Sequence, residues 1–254
     1  DMDELISQNT VDIEEATRAV EGAVETMHDL LDRTGFTDDV QEIARQSVKL
    51  TMKIMGESPE LITILNRLKE NKEKYITTHS MLLAHVACAM SASMAWNSTS
   101  TYEKLTMAAL MHDLTLRNQN IAEVQTLAEL EKRKGEFTEE DTRAYKNHPV
   151  EGSMRVRKGK RIPADVDAII AQHHERADGT GFPRGVTHSH ISHLSSLFII
   201  AHDMAREVIA RNDSYDMAEF VRRSRGNYNK GNFRKIFEVL ERDVESLPVV
   251  DPIK

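Results

Sequence analysis

His79, His112, Asp113, His148, His173, His174 and Asp203 are the side chains whose types and spacing allow shared chemistry in this sequence. Taken singly, each has an ordinary explanation, because a helical histidine commonly just bonds a neighbour. As a set they fall at helix ends or on apolar helices, where an imidazole or carboxylate without a polar partner is costly. A shared metal would satisfy all of them. Neutral imidazole and carboxylate ligands suit iron, manganese or zinc, and a single cysteine, Cys88, excludes both a disulfide framework and a multi-thiolate site. The set is too large for one ordinary ion. A carboxylate can bridge two cations, which makes Asp113 the expected bridge. Two ions roughly 4 Å apart would hold a hydroxide between them and clamp a phosphoryl group for in-line displacement.

These ligands need helices to carry them. Apolar and polar residues alternate with helical period near Val11 to Leu31 and near Asp38 to Met55, and again after Ser58-Pro59 to about Lys72, with Thr37 and Ser58 as caps and Pro59 at a first helical position. This N-terminal part contains only His28 and reads as a helical accessory region or dimerisation arm, so a homodimer is one expected assembly. From Tyr75 the texture changes, and Met81 to Trp96 should form a well-buried helix. Further helices are expected from Tyr102 to His112, from a Thr138 cap to near His148-Pro149, from Pro163 to His173-His174, and from Ile191 to Arg211. Two charged helices follow, near Asp216 to Arg223 and Asn232 to Ser246. Between them, Asp178-Gly179-Thr180-Gly181-Phe182-Pro183-Arg184-Gly185 holds too many turn formers for helix or strand and predicts a tight ordered loop.

Composition agrees with an all-α fold. The 254 residues can bury one substantial core, and 11 glycines, 6 prolines and few aromatics disfavour a turn-rich β-sandwich. A net charge of −8 gives no basis for general DNA or RNA binding. No apolar stretch approaches the roughly 20 residues of a membrane span, and the acidic start is unlike a secretory signal, so a cytoplasmic protein is expected. A chain that begins at Asp1 reads as a piece of a longer protein with domains upstream.

The order of the motifs is more specific than any one of them. Thr78-His79-Ser80, His112-Asp113, His148-Pro149 with Gly152, His173-His174-Glu175-Arg176, Asp178-Gly179-Thr180-Gly181-Phe182-Pro183 and the late Asp203 resemble, in sequence, the HD-GYP branch of the HD superfamily of metal-dependent phosphohydrolases. The resemblance covers roughly Lys72 to Asn212. It implies an HD-type helical domain over residues 73–254, preceded by the accessory region of residues 1–72. It also implies a two- or three-metal site of iron or manganese and hydrolysis of cyclic di-GMP to the linear dinucleotide or GMP. On this reading His79, His112, Asp113 and Asp203 hold one metal, and Asp113, His148, His173 and His174 hold the other.

Departures from the family pattern fall on its substrate side. Tyr75 stands where three-metal members place a glutamate, so two transition metals are expected, iron first, with manganese or zinc as alternatives. Leu116 stands where a lysine would touch phosphate, Phe182 replaces the motif tyrosine, and Asn212-Asp213-Ser214-Tyr215 replaces an Arg-Pro-Tyr-Arg segment. Arg206 and Arg211 lie near that segment but out of register. Phe182 and Arg184 are expected to shape the pocket entrance, with Arg211 as a further substrate contact. The leading expectation is a two-metal phosphodiesterase for cyclic di-GMP or a related phosphodiester. The alternative is a degenerate member that binds metals and a nucleotide or signalling protein without efficient turnover.

Other candidate residues read as structural. His85 lies about 240° around the helix from His79, and His202 is expected to point away from the site although it adjoins Asp203. His188, His190 and His193 suit caps or solvent contacts, and Cys88 suits a small buried residue. Glu175 and Arg176 either orient ligands or simply finish a helix. The basic run from Arg222 to Lys235 reads as a solvated surface.

Overall fold

Side-chain caps set where many of the helices start. Asp12, Ser98, Asn118, Thr126 and Asp216 each accept a backbone N–H from the first turn they precede, and Thr138 forms a full capping box with Asp141. The computed structural model describes residues 2–8, 10, 12–57, 75–211 and 214–245. Among these the chain is all-α. The helices are α1 (Met2–Ser7), α2 (Ile13–Thr34), α3 (Asp38–Glu57), α4 (Tyr75–Ser93), α5 (Thr99–Met111), α6 (Gln119–Ala122), α7 (Leu127–Lys132), α8 (Glu139–Arg157), α9 (Val166–Gln172), α10 (His193–Arg211), α11 (Met217–Ser224) and α12 (Gly231–Glu245). The only extended pairing among the described residues is an isolated bridge between Asp178 and Thr187. No described helix is long and apolar enough to cross a membrane.

α4 is buried on nearly every side, from Ile76 through Cys88, as its near-continuous run of small and apolar residues requires. α5 and α10 pack against it, α9 lies against α5 and α8, and α12 closes on α10. α2 buries Ala16, Val20, Val24, Met27 and Leu31, a one-faced helical spacing, against α3. α3 in turn packs on α5, so a single apolar cluster runs from Leu5 to Leu240. A smaller cluster under the site joins Ile76, Leu116, Ile121, Val124, Tyr145 and Phe182.

Two helix boundaries differ from those expected. α8 does not end at His148-Pro149 but continues to Arg157 with Pro149 inside it. α9 begins at Val166, not Pro163, because Asp165 takes a left-handed conformation (φ 76°) and pairs with Lys104 at 2.7 Å. The expected helix from Ser58 to Lys72, its cap Ser58 and Pro59, and the domain boundary at 72/73 lie outside the described residues. So do Asn212, Asp213 and Ser246.

Candidate metal centre

Three histidines are oriented by one repeated device. His112, His148 and His173 each place Nδ1 on the carbonyl three residues earlier, that of Ala109 at 2.8 Å, Tyr145 at 2.6 Å and Ile170 at 2.7 Å. A carbonyl only accepts, so Nδ1 carries the proton in each ring and Nε2 is left with a free lone pair. All three Nε2 atoms turn toward Asp113. Its Oδ2 lies 3.2 Å from His112 Nε2, and its Oδ1 lies 3.3 Å from His148 Nε2 and 3.9 Å from His173 Nε2. His148 Nε2 and His173 Nε2 stand only 3.0 Å apart. Two lone pairs at that distance repel, and a cation between them removes the conflict.

Pro149 takes part in this arrangement. It has no N–H to give the Tyr145 carbonyl, its normal helical acceptor, and His148 Nδ1 fills that acceptor instead. The proline therefore does not end α8. It frees an oxygen that fixes a candidate ligand.

His79, His112, His148, His173, His174 and His202 are all buried. Their ligand atoms form three groups within each of which all atoms lie within 4.8 Å: His79, His112 and His202; His148, His173 and His174; and His112, Asp113 and His173. Several nitrogens there have no hydrogen-bond partner among the described residues, namely both of His79, Nε2 of His112, and Nδ1 of His174 and His202. Burial lowers the pKa of His79, His173, His174 and His202 well below the ordinary imidazole value and brings that of His148 down to about 4. Burial pushes the Asp113 carboxyl the other way, yet the adjoining His112, His148 and His173 hold it well below the carboxylate range. Neutral imidazoles around an ionised carboxylate form a donor set ready for divalent cations.

A family model for the HD domain matches residues 63–216, more than half of the chain. The chain belongs to the HD domain family. It is 25% identical over 171 residues to the cyclic di-GMP phosphodiesterase PA4108 of Pseudomonas aeruginosa, a match that takes in 67% of this chain and 37% of that protein. Bd1817, an HDG"Y"P protein from Bdellovibrio bacteriovorus, shares the fold with a TM-score of 0.68 at 21% identity, over 96% of this chain and 77% of that one. HD domains bind divalent metals, and the unpartnered buried nitrogens of this one fit such ions.

On α10 the geometry differs from expectation at two adjacent residues of this HD domain. His202 does not point away. Its ring lies 4.8 Å from that of His79, 5.3 Å from His112 and 5.6 Å from His173. Asp203, the expected ligand, is absent from the three groups. Its carboxylate accepts both arms of the Arg176 guanidinium, at 3.0 and 3.1 Å, and the Tyr228 hydroxyl. One residue on a helix is about 100° of rotation, enough to separate the two roles. The signal for His202 was its spacing: it falls four residues after the fully buried Phe198 and four before buried Arg206, on the core face.

The substrate-side expectations divide. Phe182 lies at the centre, stacked on His174 with ring centroids 4.5 Å apart and near Tyr145 at 5.3 Å. Its position is set from below. Gly181 runs so close to the preceding helix end that a Cβ would sit 2.4 Å from the His174 carbonyl oxygen, and buried Glu175 accepts the backbone N–H groups of Arg184 and Val186. Glu175 thus shapes the loop. Arg184 offers its backbone to this bond while its side chain is exposed, and it does not line the cavity beside the centre. Arg211 is turned to Glu207 and Glu219, each at 3.0 Å, and is not among the described residues that line the cavity. Leu116 is a core residue beneath the site.

That cavity, of about 400 Å³, is bounded by His174, Arg176, Phe182, Asp203, Asn227 and Tyr228, with Gln125 to Ala128 opposite. Tyr228 and Asn227 come from the turn between α11 and α12, too distant in sequence for spacing to reveal. Arg206 is buried and donates to the carbonyls of Ala122 and Val124, which ties the segment after α6 to α10. His85 bonds the Met81 carbonyl, His190 meets Ser189, His193 packs on Trp96, and Cys88 is a buried free thiol.

Proposed function

We propose that this HD domain is a two-metal phosphodiesterase acting on cyclic di-GMP or a related phosphodiester. The observation that carries the reading is the pair of three-histidine groups joined through Asp113, with buried nitrogens aimed inward and left unpartnered. The cyclic di-GMP phosphodiesterase among its relatives supports the substrate class. When bound, the ions supply Lewis-acid polarisation of phosphoryl oxygens and acidification of a water. The chain's own residues prepare the rest. Asp113 faces histidines of both groups and would help to hold the ions. The Nδ1–carbonyl bonds of His112, His148 and His173 fix ring rotation and tautomer before any ligand arrives. Phe182 covers one face of His174 and shields it from water, while the adjoining cavity is large enough for part of a nucleotide.

A second reading, metal and nucleotide binding without efficient turnover, draws on one observation. Among the described residues that line the cavity, Arg176 is the one cation, and Asp203 already neutralises it. Chromatography of cyclic di-GMP incubated with metal-loaded protein separates the two readings. Release of linear dinucleotide or GMP, abolished in Asp113→Asn, supports the enzyme. Nucleotide binding without product supports the second reading.

A further inference from the structure

We propose that His202, and not Asp203, completes the metal centre, and that this choice makes it an imidazole-rich site that prefers zinc-like and ferrous ions to manganese. The proposal deepens the two-metal reading and rests on it, because it concerns which side chains hold the ions.

Position decides between the neighbours. His202 is 2% exposed, its ring meets those of His79 and His112 edge-on, and its Nδ1 has no hydrogen-bond partner among the described residues. Its ligand atom lies within 4.8 Å of those of His79 and His112. Asp203 would have to release a bidentate arginine and a tyrosine hydroxyl before it could bind an ion. Its charge is already matched by Arg176, whose side chain is as sheltered as its own, each 19% exposed. Moving that carboxylate to a metal would leave a sheltered guanidinium unpaired, a strongly unfavourable exchange.

The chemistry follows from the donor count. With His202 in place, six imidazoles, those of His79, His112, His148, His173, His174 and His202, surround a single carboxylate, Asp113. Imidazole suits zinc, iron, copper and nickel, whereas carboxylate, carbonyl and water oxygens suit manganese, magnesium and calcium. Three imidazoles with a further position left for water is also the donor pattern of many catalytic zinc sites. A carboxylate at this place would shift the balance toward the harder ions. The imidazole at 202 shifts it away.

The test is elemental analysis of the full chain after loading with zinc or manganese and removal of free ion, for wild type, His202→Ala, His202→Asp and Asp203→Asn, with circular dichroism on each. Wild type should hold about two zinc ions. His202→Ala should hold about one, which also reports that the group around His148 is still folded, and Asp203→Asn should keep both. His202→Asp should narrow the preference for zinc over manganese in a competition titration. A wild-type count in His202→Ala, or loss of an ion from a helical Asp203→Asn, would overturn the proposal. Should His202→Ala lose its helicity, the His202→Asp titration decides, and an unchanged preference overturns it. Each readout is independent of turnover, so two ions bound without hydrolysis would count against the enzyme and leave the ligand assignment standing.

Discussion

His148 donates its Nδ1–H to the Tyr145 carbonyl at 2.6 Å, the oxygen that Pro149 leaves without a helical donor. A residue that ordinarily breaks a helix here orients a candidate metal ligand. Pro149→Ala should restore an N–H to the same oxygen and loosen the ring. The expected outcome is metal binding weaker by about 10-fold or more, the usual cost of losing an outer-shell bond, with no loss of thermal stability in the metal-free protein. Isothermal titration with zinc and a melting curve measure both. Unchanged affinity would show that Tyr145 does not set the ligand.

Acid should destabilise the metal-free protein well before any carboxylate is protonated. Burial lowers the pKa of His79, His148, His173, His174 and His202 below the ordinary value of 6.5, that of His148 to about 4. Above 6.5 these groups are neutral in both folded and unfolded chains, and no proton uptake favours either. As pH falls below 6.5 the unfolded chain binds protons that the folded chain refuses, so stability drops, by about 1.4 kcal/mol per pH unit for each group. The loss attributable to His148 continues until pH nears about 4. Urea unfolding of metal-free protein at pH 7.5 and 5.5 should show a lower midpoint at the acid pH. Equal midpoints would mean that these imidazoles are not held neutral.

The Arg176–Asp203 pair should behave as a scaffold. Arg176→Ala leaves a sheltered carboxylate unpaired and should cost about 2–3 kcal/mol of stability. Asp203→Asn keeps an acceptor for Arg176 and for Tyr228 and should cost less. Denaturant titrations of both variants give the comparison, and a larger loss in Asp203→Asn would contradict the assignment.

Gly181→Ala should separate metal binding from substrate handling. The added methyl group would meet the backbone of His174 and Glu175 at 2.4 to 2.5 Å, so the loop must lift and carry Phe182 off His174. Metal content should stay at the wild-type level while cyclic di-GMP affinity falls, as equilibrium dialysis with elemental analysis would show. Retained nucleotide affinity would place the base elsewhere.

The helical architecture was legible because most caps and apolar faces were local signals. Thr138 with Asp141, and the one-sided spacing of Val20, Val24, Met27 and Leu31, act within one or two turns. Asp113 and five of the histidines were legible for a different reason: their motifs follow one another in a fixed order, and the structure brings them together. The orientation of His202 was misjudged because adjacent residues were weighed by type, with the carboxylate chosen as the ligand. Only the burial stripe of α10, from Phe198 to His202 to Arg206, separates them. Pro149 misled because the rule that proline ends a helix leaves out a side chain that can satisfy the freed carbonyl. Tyr228 could not be foreseen, since its bond to Asp203 spans 25 residues and two helices.

Anomalous diffraction from crystals of zinc-loaded protein tests the central claim most directly. The account predicts two peaks, one among His79, His112 and His202 and one among His148, His173 and His174, with the Asp113 carboxylate between them. A single peak, or a peak bound to Asp203 with the His202 ring turned away, would contradict it.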